Sequence, residues 1–389
     1  MHRVLVLDAN QRSALAIIRS LGQHGLRPIA ADAQPRAIGA ASRFATAFVR
    51  YPDPAVYPDA FVNEISAVVS RMGIDTIVPA TDLTTMLLVS QSNLPQSVKL
   101  VGPGARSYEA LTDKADLLQL AKGLEVLTPE TRIAHSTADI QDAIDEFGVP
   151  AVLKPARSRY MKGNRVVATS VQTVRSRDQL QGTLDRLDWL GDIPCLVQRF
   201  IPGRGAGIFA LYSETGPVAW FAHKRIREKP PTGGVSVLCE SVPIDPLMQT
   251  AAMKLLSAVG WVGVAMVEFR VTDDGKPYLM EVNGRFWGSL QLAIDCGIDF
   301  PWLLYRVVHG LPVDAPAPYA HGRRLRWLLG DLDSLGLELR RTSSRSKASA
   351  VGAFLRSFLD PLCRQETFRV SDPSPGIREA FQWIKELRR

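Results

Sequence analysis

Two glutamates sit where apolar side chains belong. In the stretch GVAMVEFRVTDDGKPYLMEVNGRFWGS, residues 263–289, two apolar runs flank a turn, and each carries a carboxylate in its middle, Glu268 and Glu281. Taking Asp273–Lys276 as the loop sets Thr272 opposite Pro277, and the same register sets Glu268 opposite Glu281. Directly opposed side chains of an antiparallel pair have Cβ atoms about 4.5–5.5 Å apart, so two like charges there repel, more strongly when half buried. Alternation along the strand places Glu281, Asn283 and Arg285 on one face. Two carboxylates and an amide oxygen, without His or Cys, suit a hard ion such as Mg²⁺ or Mn²⁺. Such an ion usually completes its shell with phosphate oxygens and water, so the motif predicts a nucleotide. Two alternatives stay open: both glutamates could be solvated on an edge hairpin, and a slip of one residue would separate them.

The elements that must position this hairpin read as α/β at first. RVLVLD (3–8), LRPIAAD and IDTIVPATD predict buried strands, separated by helical patterns carrying Ala14, Ile17, Ile18 and Leu21, then Phe61, Ile65, Val68, Val69 and Met72. That alternation predicts a parallel sheet in a domain over 1–104. The first strand–helix junction, DANQRS, has no glycine, which argues against a dinucleotide there. Next come expected helices over 107–122, 137–147 and 176–190 and strands at PAVLKPA, RVVATS and CLVQRFIPG. They mix α and β without regular alternation over 105–202. The chain is then strand-rich to the hairpin, with helices near 246–259, 289–296 and 301–309 closing a unit over 203–312. PVDAPAPYAHG looks like a linker into a basic extension, 313–389, helical around 351–359 and 376–388. There is no internal repeat.

Bulk properties exclude several classes. With 389 residues, 46% hydrophobic and 22% charged, the chain suits two or three globular domains. No apolar run reaches the length of a bilayer span, and the N-terminus lacks the features of a signal peptide. The four cysteines, Cys195, Cys239, Cys296 and Cys363, show no CxxC spacing, which fits reduced thiols and a cytoplasmic setting. Residues 315–389 hold 14 Lys and Arg against 8 Asp and Glu, nearly all of the net charge of +7. The rest is almost neutral, so a general nucleic-acid surface is not expected. The basic tail reads as a solvated helical extension, with anionic lipid or a partner as the alternative. A homodimer is one possible assembly.

LMEVNGRFWGS preceded by AMVEFR resembles the metal-binding strands of the ATP-grasp superfamily, and further pieces match in order over about residues 1–310. LTDKADLLQLAKGLEVLTPET resembles its Asp-Lys helix, AVLKP its phosphate-contacting strand and LVQRFIPG its adenine-reading hinge. The resemblance implies an N-terminal parallel-sheet domain followed by a two-lobed ATP-grasp domain, the small lobe clamping nucleotide and the large lobe holding metal. It implies that Lys114 and Lys154 contact ATP phosphates and that the Arg199 carbonyl and Ile201 amide hold adenine, with Gln198 and Phe200 beside them. Glu268, Glu281 and Asn283 would hold Mg²⁺ or Mn²⁺, and Arg285, with Lys154, would stabilise the charge of an acyl phosphate as it forms. HKRIREKPPTGGVS resembles a strand and loop beside phosphate and substrate and offers His223, Lys224, Arg225, Gly233, Gly234 and Ser236. Asp82, at a strand end, is a further candidate on the substrate side.

Each residue keeps an ordinary alternative. Lys114 could be a solvated helix lysine, His223 a plain strand residue and Gly233-Gly234 a turn, whereas Lys154 inside an apolar strand is costly without a partner. Two departures stand out. ARSRYMKGN replaces the usual glycine-rich phosphate loop with one glycine and several cations, and RGAGIFAL lacks the carboxylate often placed near ribose.

The implied reaction is an ATP-dependent carboxylate–amine ligation. The γ-phosphoryl activates a small carboxylic acid as an acyl phosphate, an amine or thiol displaces phosphate, and ADP is released. The alternatives are a bicarbonate-using carboxylase or carbamoyl-phosphate-forming enzyme, and a non-catalytic ATP-binding regulatory protein.

Overall fold

A computed structural model of the chain describes residues 2–91, 94–95, 97–231, 233–314, 316–341 and 344–388. The N-terminal part is a parallel sheet of five strands in the order Ala47–Arg50, Arg27–Asp32, Arg3–Val6, Thr76–Val78, Lys99–Leu100. Its central strand is buried on both faces, as an apolar run with no alternation requires, and every neighbour is parallel. Helix Arg12–Gln23 buries Ala14, Ile17, Ile18 and Leu21, the 3.6-residue stripe seen in the sequence.

The following lobe is a four-stranded antiparallel sheet, Gln172–Val174, Ala151–Pro155, Cys195–Arg199, Thr131–Ala134, covered by helix Thr137–Phe147. Two helix expectations need correction here. The helix expected over 107–122 is two, Ala105–Thr112 and Lys114–Gly123, because the Asp113 carboxylate accepts from the Ala115 and Asp116 amides and starts a new helix. The helix expected over 176–190 is only Leu180–Leu184 after one 3₁₀ turn. Leu184, Leu187 and Trp189 all turn into the core, a spacing that one straight helix face does not supply. Between these elements, Arg159–Lys162 and Arg165–Ala168 form a separate two-stranded hairpin, and the Val166 amide donates to the Ala55 carbonyl of the N-terminal domain.

The third body is a seven-stranded sheet: Pro277–Asn283, Gly263–Val271, Arg204–Ser213, Gly216–Lys229, Val235–Ser241, Arg324–Arg326, Cys363–Gln365. Period-two alternation divides its faces. Ile208, Ala265 and Val267 pack toward helix Pro246–Ala258, whereas Phe209, Val264 and Met266 pack toward helix Arg12–Gln23 and Trp287. The two last strands belong to the segment expected to be a solvated helical extension, and that expectation is corrected. Arg326 is fully buried on Asp331, Arg324 pairs with Glu240 and Asp360, and Arg369 pairs with Asp295. Four of the tail's cations, Arg324, Arg326, Arg364 and Arg369, are thus paired with acids, among them Glu240 and Asp295 from distant elements. Helices there span Leu328–Arg341, Ser344–Arg356 and Ser374–Leu387. The expected linker includes Ala315, which lies outside the described residues. Among the described residues no helix is long and apolar enough to cross a membrane.

Candidate active site

The hairpin turns one residue earlier than its sequence suggests, with Val271 facing Pro277. A regular ladder from that turn would set Met280 opposite Glu268. A bulge between Glu268 and Phe269 makes Met280 the extra residue, so Glu281 faces Glu268 and Asn283 faces Met266. The side-chain pattern therefore comes out as expected although the turn does not. Asn283 Nδ2 donates to Oε1 of both glutamates at 3.2 Å, while Arg225 Nη2 lies 2.6 Å from Glu268 Oε2. Burial raises the Glu268 carboxyl above its ordinary range despite Arg225. Burial acts on Glu281 too, but the ammoniums of Lys114 and Lys154 outweigh it and hold that carboxyl low.

Arg285 follows the hairpin and is fixed by the N-terminal domain. Its Nε donates to Asp82 Oδ2 at 2.9 Å, and its Nη2 to Asn283 Oδ1 at 3.2 Å. Asp82 opens helix Asp82–Val89 under a Thr81 cap, so it orients Arg285 directly. The nearby carboxylates keep the buried guanidinium firmly charged.

Lys154 approaches the same carboxylates from the four-stranded lobe, and Lys114 from the start of helix Lys114–Gly123, whose Leu117 and Ala121 pack against the seven-stranded sheet. Lys114 Nζ donates to Ser158 Oγ at 2.9 Å and stands 3.7 Å from Glu281 Oε2. Arg157 closes this corner on Asp113 at 2.7 Å. Lys154 projects from strand Ala151–Pro155, with Nζ 3.8 Å from Met280 Sδ, and burial lowers its pKa to about 8 against the pull of Glu281. Gln198 is buried and bonded to Thr131, so its side chain is committed to the sheet. Arg199 ends that strand with its side chain on Glu130, and the partly exposed Phe200 and Ile201 lead out of it.

On the other side of the glutamates lies a cleft of about 400 Å³, lined by Arg225, Glu268, Glu281, Asn283 and Arg285 together with His223, Ser236, Ser289 and Arg12. Burial, helped by Arg225, drops the His223 imidazole to about 3, so it offers hydrogen bonds rather than charge. Lys224 points to the opposite face and pairs with Glu240. Gly234 lies against the Lys229 carbonyl, where a Cβ would come within 2.3 Å of the oxygen, and Gly233 adopts φ +125°. Gly234 rims the cleft beside Arg225, whose Nη1 donates to the Gly234 carbonyl. Sequence reasoning missed Arg12, Met280 and the Asp113–Arg157 clasp. Only the clasp had a local signal, the Asp-x-x-Asp pattern of a helix start.

The family model described as ATP-grasp in the biosynthetic pathway with Ter operon matches residues 194–330. The chain is 27% identical over 233 residues to N5-carboxyaminoimidazole ribonucleotide synthase of Pseudomonas aeruginosa, covering 59% of this chain and 61% of that protein. In structure it superposes on biotin carboxylase in its βγ-ATP complex from Campylobacter jejuni with a TM-score of 0.65 at 17% identity, over 83% of this chain and 74% of that one. The chain has the ATP-grasp fold, and its residues 194–330 match an ATP-grasp family model. An uncharacterized protein of Sinorhizobium fredii, y4rH, is 26% identical over 311 residues, 76% of this chain and 62% of that protein. The chain thus spans about three fifths of the length of these two curated relatives.

Members of the ATP-grasp superfamily use ATP with Mg²⁺, and the residues here fit such an ion. The two opposed carboxylates are the oxygen donors such an ion takes, and no third carboxylate, histidine or cysteine forms a cluster with them among the described residues; Asn283 turns its amide nitrogen to the glutamates and its oxygen to Arg285, so it would join the ion's shell only with the amide turned over. One of the two carboxyls is pushed up by burial, and a divalent cation would relieve that.

Proposed function

We propose that this ATP-grasp chain is an ATP-dependent ligase that activates a carboxylic acid as an acyl phosphate and passes the acyl group to an amine, releasing ADP and phosphate. The observation that carries it is the opposed Glu268–Glu281 pair, flanked by Lys114 and Lys154 on one side and by Arg225 and Arg285 on the other. Glu268, Glu281 and Asn283 would hold Mg²⁺, which supplies charge neutralisation for phosphate oxygens. Lys154, from the four-stranded lobe, and Lys114, from the start of its helix, bind the phosphates. The substrate carboxylate attacks the γ-phosphorus, an oxygen–phosphorus bond forms, and the bond to the ADP oxygen breaks. Arg285, oriented by Asp82, stabilises charge on the transferring phosphoryl without reorganising. The amine nitrogen then bonds to the acyl carbon, phosphate leaves with the carbon–oxygen electron pair, and the amine gives up a proton. The hinge at Arg199–Ile201 is assigned to adenine, and the Gly233–Ser236 segment with His223 and Arg225 to the acyl phosphate and substrate.

Bicarbonate as the carboxyl substrate is a second reading, favoured by two relatives whose names specify carboxylation. One experiment separates the readings. Purified chain with ATP and Mg²⁺ is offered pools of acids with amines, or bicarbonate with amines, and ADP is measured beside product mass. ADP release that requires one acid–amine pair establishes the ligase, and release that requires bicarbonate establishes the carboxylase. Tight ATP binding with no turnover in any pool contradicts both.

A further inference from the structure

Arg12 is the one cleft cation that the phosphoryl-transfer reading leaves without a task. It is the first residue of helix Arg12–Gln23, in the N-terminal domain, and it lines the cleft together with His223 and Ser289. Three parts of the chain hold it. Its Nη1 pairs with the buried Glu366 of the C-terminal segment, its guanidinium carbon lies 4.0 Å over the Trp327 ring, and its Nη2 packs against Gly288, where a Cβ would stand 3.0 Å away. A guanidinium so fixed loses little freedom when it binds an anion, and its planar edge matches a carboxylate or phosphate. A second observation points to a ligand at this part of the cleft. His223 is 2% exposed and lines the cleft; its Nδ1 meets Ser289 Oγ, while its Nε2 has no partner.

We propose that Arg12 anchors an anionic group of the acid or amine substrate, at the part of the cleft bordered by Gly288 and Ser289, with Glu366 holding Arg12 in place. The assignment rests on the ligase reading for what enters the cleft. The shared chemistry is a carboxylate or phosphate monoester, and the test distinguishes the two.

Glu366 competes with that anion for Arg12. Burial raises its carboxyl to about 7, with Arg12 opposing the rise and Glu379 adding to it. The groups facing it are Arg12 and Arg19 of the first helix, Glu379 of the last helix, Arg369 of its own segment and Cys239 of strand Val235–Ser241. Protonating Glu366 frees Arg12, so anion binding should be tighter below pH 7 and weaker above it.

The test titrates the full chain, loaded with a non-hydrolysable ATP analogue and Mg²⁺, with acetate and separately with inorganic phosphate. Tryptophan fluorescence is followed, since Trp327 stacks on Arg12, and nucleotide affinity is measured in parallel. The expected result is saturable binding of one of the two anions, weakened about tenfold or more in Arg12→Gln with nucleotide affinity unchanged. Acetate points to a carboxylate substrate and phosphate to a phosphorylated one. For acetate, which stays ionised throughout, the wild-type affinity falls as pH rises from 6 to 8 and is nearly pH-independent in Glu366→Gln; for phosphate, which gains charge over the same range, the ratio of wild-type to Glu366→Gln affinity falls instead. Equal anion binding by wild type and Arg12→Gln, or loss only in Arg285→Gln, overturns the assignment. Failure of nucleotide to bind while Arg12-dependent anion binding persists would sink the ligase reading and leave the anion site standing.

Discussion

Arg285 and Asp82 are 203 residues apart in sequence and 2.9 Å apart in space, and their contact joins the Glu268–Glu281 hairpin to the N-terminal domain. The cation proposed to meet the transferring phosphoryl is thus aimed by a carboxylate from another body of the fold. Orientation of this kind acts on the transition state more than on nucleotide affinity.

Asp82→Asn therefore should lower turnover about 10- to 100-fold while leaving the Kd for MgATP within about twofold. Steady-state ADP release beside equilibrium nucleotide binding checks this. Equal losses in both would mean that Asp82 serves folding or binding rather than orientation.

Lys154 gives a pH signature. Its folded pKa, lowered by burial to about 8, lies below that of an unfolded lysine. Between the two values the unfolded chain carries the extra proton, so stability of the nucleotide-free protein should rise with pH above about 8. Phosphate binding needs the ammonium, so MgATP affinity should fall over the same range. In Lys154→Arg, whose cation does not titrate there, affinity should stay flat between pH 7 and 9.5. Titrations across that range settle the point.

Asp331 bridges the buried Arg326 and Arg227, at 2.7 and 2.5 Å. Removing one partner of a buried ion pair leaves charge uncompensated. Asp331→Asn should destabilise the protein by about 3–5 kcal/mol, seen as a large drop in Tm, although the residue lies outside the candidate site. A Tm within 2 °C of wild type would show that the last two strands are not bound to the sheet in this way.

The contrast among these residues shows what the sequence carries. Glu268 and Glu281 were legible because charges interrupt a period-two apolar pattern and the hairpin that pairs them is local. The turn was misplaced by one residue, and the Met280 bulge, which no local pattern announces, compensated. Lys114 and Lys154 were picked out by local motifs. Arg12 and Glu366 look like surface charges in sequence, and they meet only because a C-terminal strand closes the sheet beside the first helix. The basic tail misled for the same reason. Composition counts charges, while burial depends on partners such as Asp295 and Glu240, which come from distant elements.

The central claim is that Glu268, Glu281 and Asn283 hold a divalent cation together with nucleotide phosphate. Its most direct test is electron paramagnetic resonance of Mn²⁺ titrated into the protein with ATP, comparing wild type with Glu281→Gln at matched fold and Tm. A nucleotide-dependent bound-Mn²⁺ signal in wild type, weakened at least tenfold in Glu281→Gln together with loss of ADP release, is the predicted result. An unchanged signal and normal turnover in a well-folded Glu281→Gln protein would contradict it.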